Sequence, residues 1–260
     1  MEPTSLWRNR DFMLLWSGQV VSTIGIRVSS LAYPLLVLAM TGSPAQAGLV
    51  GFAQTLPYLL CYLLAGALVD RWDRKRVMLV ADAGRALAVG TVAVALALGT
   101  LTLPMILLAA FVEGLLFVFF QLAETAALPH VVPRSQLAPA LAQNQAREQG
   151  AELAGQPLGG VLFGISHLLP FAFDAVSYLV SFTTLLFVRP AFQASRERAI
   201  TRLRADIAEG VRWLWHQEFL RALVALIGLT NLVFNALIIT LIVRAQQLGA
   251  SPAGIGLLLG

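Results

Sequence analysis

The sequence predicts an all-α membrane protein, and three observations lead there. Only 12% of its 260 residues are charged while 58% are hydrophobic, with a mean hydropathy of +0.76, so most of its surface is unsuited to water. The apolar residues gather into long runs that match the roughly 20 helical residues needed to cross a hydrocarbon core of about 30 Å. Most of the basic residues gather in alternate connections between those runs, which is the pattern a membrane imposes.

Seven runs are complete. The first, Phe12–Met40, follows Arg8 and Arg10. It is too long for the apolar region of a cleavable signal and no small-residue cleavage pattern follows it, so it is expected to stay as an anchor. The uncharged "TGSPAQ" leads into the second run, Ala45–Val69, which holds the single cysteine, Cys61. With no second thiol in the chain it forms no internal disulfide and reads as a small packing residue. Arg71, Arg74, Lys75 and Arg76 separate this run from the third, Val77–Leu98, and "GTLT" joins that to the fourth, Leu103–Ala127. Arg134 precedes the fifth, Ala142–Ile165, and "SH" joins it to the sixth, Leu168–Val188. A basic segment with Arg189, Arg196, Arg198, Arg202, Arg204 and Arg212 precedes the seventh, Phe219–Val243, and an eighth run begins near Ser251. With the charged connections and the N-terminus inside, the expected location is the cytoplasmic (inner) membrane, multi-pass.

A short phrase occurs twice. "SPAQAGLVG" starts at Ser43 and "SPAGIGLLLG" at Ser251, each in an uncharged outer hairpin leading into the next helix. This suggests two parallel six-helix repeats. The expected organisation is a six-helix N-terminal half over residues 1–188, a cytoplasmic linker over 189–218, and the start of a C-terminal half over 219–260. Within the linker, Ile200, Leu203, Ile207, Val211 and Leu214 recur at helical spacing between charged residues, which suits an amphipathic helix on the inner leaflet.

Charges at membrane depth are the candidate working residues. Arg27, Glu113 and Glu152 fall near the middle of the first, fourth and fifth runs, and each costs about 2.5–3.5 kcal/mol or more if it faces lipid unpaired. They are therefore expected to face the interior. One arginine cannot neutralise two carboxylates, so pairing with one leaves the other able to hold a proton. A structural triad that only fixes helix packing is the alternative. Asn144, Glu148, Glu152, Gly155 and Gly159 share one face of the fifth helix. In the sixth, Asp174, Ser177, Ser181 and Thr184 form another stripe; Asp174 lies toward the outer face, where wetting is expected, with structural hydrogen bonding as its expected role. Asn235 stands in the second copy of the repeat where Arg27 stands in the first, which makes it a cavity candidate. Phe117, Phe119, Phe120 and Trp16 either line a pocket or pack.

The turn between the second and third runs reads "GALVDRWDRKR". It resembles the signature loop of the major facilitator superfamily, Gly-x-Leu-x-Asp-Arg-x-Gly-Arg-Arg or Lys. Gly66, Leu68, Asp70, Arg71, Arg74 and Lys75 match, and Asp73 replaces the second glycine. "FFQLAETAALPHVVPRSQL", "GQPLGGVLFG", "PFAFDAVSYLVS" and "EGVRWLWHQEFLRAL" look like the exporter branch that includes enterobactin and macrolide efflux proteins. The similarity runs from about Leu6 to Gly260. It implies a major facilitator-type helical bundle, a six-helix half plus the seventh helix and the start of the eighth, with the chain truncated early in the second half. It also implies a cytoplasmic gate in which Asp70 faces a helix terminus of the second half while Arg71 or Arg74 pairs with an acid such as Glu124. Plain positive-inside topology is the alternative for these basic residues. Gly155, Pro157, Gly159 and Gly160 resemble the antiporter motif Gly-Pro-x-x-Gly-Gly, with Gln156 where proline is usual.

The function expected is export of a hydrophobic drug-like or siderophore-like small molecule by proton antiport with alternating access. A half-length membrane partner without transport of its own is the alternative. No enzyme is expected. The only lysine, Lys75, lies between arginines, so no phosphate loop ends in Gly-Lys-Ser or Gly-Lys-Thr, and His130, His167 and His216 are far apart in connections. Cofactors, metals and nucleic acid are not expected. The expected partners are the small-molecule substrate, protons, the lipid bilayer, and a missing C-terminal half or second copy, because an unpaired half would turn its polar stripe to lipid.

Overall fold

A computed structural model describes residues 6–189, 192 and 216–260, with backbone alone at 224, 225, 227, 231, 232 and 235. All elements among these residues are helical. Single 3-10 turns at Leu6–Arg8 and Arg134–Gln136 accompany α1 (Arg10–Thr41), α2 (Pro44–Val69), α3 (Arg74–Ala97), α4 (Leu103–Val131), α5 (Leu137–Ile165), α6 (Leu169–Phe187), α7 (Glu218–Gln247) and α8 (Pro252–Leu259). The amphipathic pattern expected over 200–214 lies outside the described residues.

Side-chain caps define several helix starts. Asn9 accepts from the amides of Asp11 and Phe12 at 3.1 Å and donates through Nδ2 to the Val131 carbonyl at 2.9 Å, so one side chain starts α1 and anchors it to the end of α4. Asp73 caps α3 by accepting from the Arg76 amide at 2.8 Å, which explains how the turn tolerates an aspartate where the signature has glycine. Helices continue beyond the apolar runs: α3, capped by Asp73, begins at Arg74 rather than Val77, α5 at Leu137 rather than Ala142, and α4 ends at Val131 rather than Ala127.

The repeated phrase has a local explanation. Ser43 and Ser251 each cap a helix, accepting from the amides of Gln46 and Gly254, with Pro44 and Pro252 in the first turn. Upstream, Gly42 and Gly249 adopt φ of 66° and 81°, a left-handed conformation that favours glycine. Both hairpins, α1–α2 and α7–α8, are thus built alike.

By length and composition, α1, α2, α3, α4 and α6 can cross a membrane. The other two expected spans stand apart. α5 is 29 residues long but contains Arg147, Glu148 and Glu152, and the apolar part of α7 found among the described residues is Ala236–Gln247. α1 packs on α6 and α5, α3 on α4 and α6, α2 on α4, and α8 on α5. The helices α1, α3, α4 and α6 therefore share an interior. Two apolar clusters close it: one contains Leu36, Val89, Ile106 and Phe171, the other Phe12, Met78, Ala123 and Leu128. Polar side chains occupy the space between.

The Gly155–Gly160 segment sets the closest crossings. A Cβ at Gly159 would meet the Val28 backbone of α1 at 2.8 Å, and one at Gly160 would collide with the Pro252 carbonyl of α8. Small residues here let α5 touch two backbones at once.

Candidate functional site

Two polar groups emerge, one inside the α1/α3/α4/α6 interior and one on the α1–α5 face. The interior group starts from Asp82 and Arg85. Three residues apart on α3, they point the same way and are fully buried. Arg85 Nη2 donates to Asp82 Oδ1 at 2.5 Å, Ser181 Oγ donates to Asp82 Oδ2 at 2.7 Å, and Gln19 Nε2 donates to Ser181 Oγ at 2.6 Å. The guanidinium lies 4.5 Å from the ring centres of both Phe120 and Tyr178 and 5.9 Å from that of Phe117. Those rings offer their negative faces to the cation.

From Tyr178 the chain of contacts continues to Glu113. Tyr178 Oη donates to Glu113 Oε1 at 2.9 Å and Tyr33 Oη to Oε2 at 3.1 Å. Both carboxylate oxygens are thereby held. Asp174, also fully buried, accepts from Ser177 Oγ at 3.2 Å through Oδ1, while its Oδ2 has no partner among the described residues. It lies within electrostatic reach of Glu113. The interior group thus sets three carboxyl groups, Asp82, Glu113 and Asp174, against one guanidinium.

The second group is an alternating ladder across three helices. Arg27 Nη2 lies 3.0 Å from Glu152 and 3.8 Å from Glu148. Glu148 is 3.1 Å from Arg147, which reaches Glu124 at 2.7 Å and, through its other nitrogen, at 3.4 Å. The Glu124–Arg147 end is buried, whereas the Glu152 side chain is 45% exposed. The ladder therefore runs from the bundle's interior onto its open face.

The family described as transmembrane secretion effector matches residues 2–260. The chain belongs to this family, within the major facilitator superfamily. It is similar to a macrolide efflux protein A of Streptococcus pyogenes, at 27% identity over 193 residues, 73% of this chain and 47% of that protein. It is also similar to the multidrug efflux pump Tap of Mycobacterium tuberculosis, at 30% over 238 residues, 88% of this chain and 56% of the pump. A third relative, the MFS-type transporter YkuC of Bacillus subtilis, is 24% identical over 231 residues, 84% and 53% of the two chains. The chain spans about half the length of these curated relatives.

In this major facilitator chain the signature turn is tied to its own helices. Arg74 Nη1 donates to the carbonyls of Ala126 at 2.8 Å and Phe192 at 3.1 Å, and its Nη2 lies 3.8 Å from Asp70. Lys75 Nζ donates to the carbonyls of Val188 at 2.6 Å and Leu186 at 3.2 Å, where α6 ends and its carbonyls lack helical partners. Asp70, Arg71 and Arg76 are exposed, and a Cβ on Gly66 would meet nothing within 4 Å.

Of the two acids open to Arg27, close packing of α5 on α1 gives it Glu152, with Glu148 beside it, while Glu113 turns into the interior. Two expectations are corrected. The cation of Glu124 is Arg147 rather than Arg74, whose donors are drawn to main-chain carbonyls. Asp174 is not wetted, because α1 covers it at Gly25, where a Cβ would meet its Oδ1 at 2.6 Å. Asn144 is half-buried one turn before Glu148, and the side chain of Asn235 lies outside the described residues. Phe120 packs on Arg85, Phe119 stacks with Trp72, and Trp16 meets Trp7 edge-on.

Sequence reasoning passed over Asp82, Arg85, Arg147, Tyr33, Tyr178 and Gln19. The first two were findable: opposite charges at i and i+3 inside an apolar run share one helix face and must pair. The tyrosines carried no such signal, since only the fold brings α1 and α6 to the same carboxylate.

Proposed function

We propose that the full-length protein exports a hydrophobic drug-like or siderophore-like small molecule from the cytoplasm by proton antiport with alternating access. Efflux is supported by the relatives, whose names specify macrolide and multidrug efflux. The observation that carries proton coupling is the interior group, in which three acids face one guanidinium away from water. Full ionisation would leave two uncompensated negative charges there, at a cost of several kcal/mol each; one proton on Glu113 or Asp174 relieves part of it.

Glu113 is the proton carrier in this reading, and Asp174 shares its proton. Tyr178 and Tyr33 hold both oxygens of Glu113, so a proton reaches or leaves it when the interior rearranges. The ladder of Arg27, Glu152, Glu148, Arg147 and Glu124 lines the substrate side, with Asn144 and Asn235 as further cavity residues. Asp70, Arg71 and Gly66 form the cytoplasmic latch with a second helical half, either a C-terminal half or a second copy. Exposed pairs in such a latch contribute about 0–1 kcal/mol each, which suits repeated opening.

The test is macrolide or dye movement in proteoliposomes with an imposed pH gradient, using the full-length transporter. Glu113→Gln and Asp174→Asn should each lower gradient-driven transport at least about tenfold, a coupling loss of about 1.4 kcal/mol, while substrate exchange without a gradient persists. Gradient-driven transport at the wild-type rate in both variants would remove these acids from the coupling role.

A further inference from the structure

We infer that the groove between α3 and α4, beside the signature turn, binds one anionic phospholipid of the cytoplasmic leaflet. The groove encloses about 580 Å³. Its walls are Val77 and Val80 from α3 and Leu116 and Phe119 from α4, and its mouth carries Arg71, Trp72 and Arg76.

Three features fix the chemistry of the occupant. Val80 is 66% exposed, so the groove opens away from the described helices. Its walls are aliphatic and aromatic, which suits an acyl chain and gives a soluble anion nothing to bind below the mouth. The mouth concentrates guanidinium groups at the end of a membrane helix, the position where basic residues meet acidic headgroups. Trp72 stacks on Phe119, with ring centres 6.1 Å apart and planes at 15°. Its indole thereby spans from the apolar wall to the charged rim, the depth at which tryptophan settles in bilayers.

Asp73 lines the same mouth and offsets one of its two guanidinium charges, leaving it net positive. Its Oδ1 accepts the Arg76 amide at 2.8 Å as the cap of α3, and the Arg76 side chain is exposed. A phosphodiester at the mouth would meet Arg76, with the charge of Arg71, a latch residue, adding to the field at the rim, and its chains would lie along Val77, Val80 and Leu116. A zwitterionic lipid would bring an ammonium group to the same cationic mouth and is disfavoured there. The inference is independent of which substrate the transporter carries.

Native mass spectrometry of the full-length transporter released from nanodiscs of phosphatidylglycerol and phosphatidylcholine tests it. Wild type should retain phosphatidylglycerol in preference to phosphatidylcholine. Arg76→Gln should bind it about fivefold more weakly, as expected for one basic residue at a membrane surface. Val80→Trp, which fills the trough at an exposed position, should lose the same lipid without changing the melting temperature. Equal retention in wild type and both variants would overturn the inference. So would a loss confined to Arg76→Gln, which would mark a surface charge effect with no groove. A Val80→Cys probe in a Cys61→Ser background should react with a lipid-soluble maleimide in lipid-free detergent. Lack of reaction there would mean that the protein's own chain fills the groove, which also overturns the inference.

Discussion

Arg85 divides its donors between two kinds of partner. One nitrogen serves Asp82, while Nε and Nη1 make no hydrogen bond among the described residues and lie among aromatic rings. Loss of Asp82 would leave a buried guanidinium without its hydrogen-bonded carboxylate, with ring faces beside it and Glu113 within electrostatic reach. Asp82→Asn should therefore destabilise the folded protein by about 3–5 kcal/mol. The combined Asp82→Asn, Arg85→Met variant should recover much of that, because it removes the charge and keeps a similar volume. Unfolding in detergent, followed by denaturant titration of tryptophan fluorescence, reads both. At this scale the sequence disclosed which residues were charged and deep, but not their partners. Arg27 and Glu113 look alike in a linear reading; only the crossing of α5 over α1 sends one to the open face and leaves the other inside.

Among the elements, α5 departs furthest from a simple membrane span. Charge along its first half keeps it below the apolar content of its neighbours, and glycine along its second half brings it against α1 and α8. Gly159→Leu should force α5 away from Val28 and cost about 1–3 kcal/mol or more as overpacking. Gly164→Leu is the internal control, since a Cβ there meets nothing within 4 Å. A fall in melting temperature confined to the first variant is expected; equal effects would mean that helix propensity, not the crossing, governs these positions. The existence of the helices was legible from apolar runs, because hydrocarbon thickness sets their length. Their ends were less so, since caps such as Asp73 and Asn9 extend a helix independently of hydropathy. The resemblance of Ser43 and Ser251 was legible as a repeat, and its local cause, a serine cap followed by proline, is visible only with the backbone in place.

Among the described residues, the bundle separates two environments for charge, a sealed interior and an open face, with exposed apolar surface around them. The distribution of arginines predicts that the turn at Thr100 faces outward and that at Arg134 faces the cytoplasm. In a Cys61→Ser background, Thr100→Cys should react with an impermeant maleimide on intact cells, while Arg134→Cys should react only after permeabilisation. The reverse pattern would invert the latch as well as the topology. The family was legible from one turn and four phrases, and the family comparison agrees over residues 2–260. The assignment of acids to inner and outer groups was not, because it depends on pairings between helices far apart in the chain.

The grip of Arg74 on Ala126 and Phe192, and of Lys75 on Leu186 and Val188, has a mechanical meaning. The signature turn is bolted to the ends of α4 and α6 rather than hanging between α2 and α3. In the proposed latch, a push on Asp70 would be delivered to several helices at once, like torque on a keyed shaft.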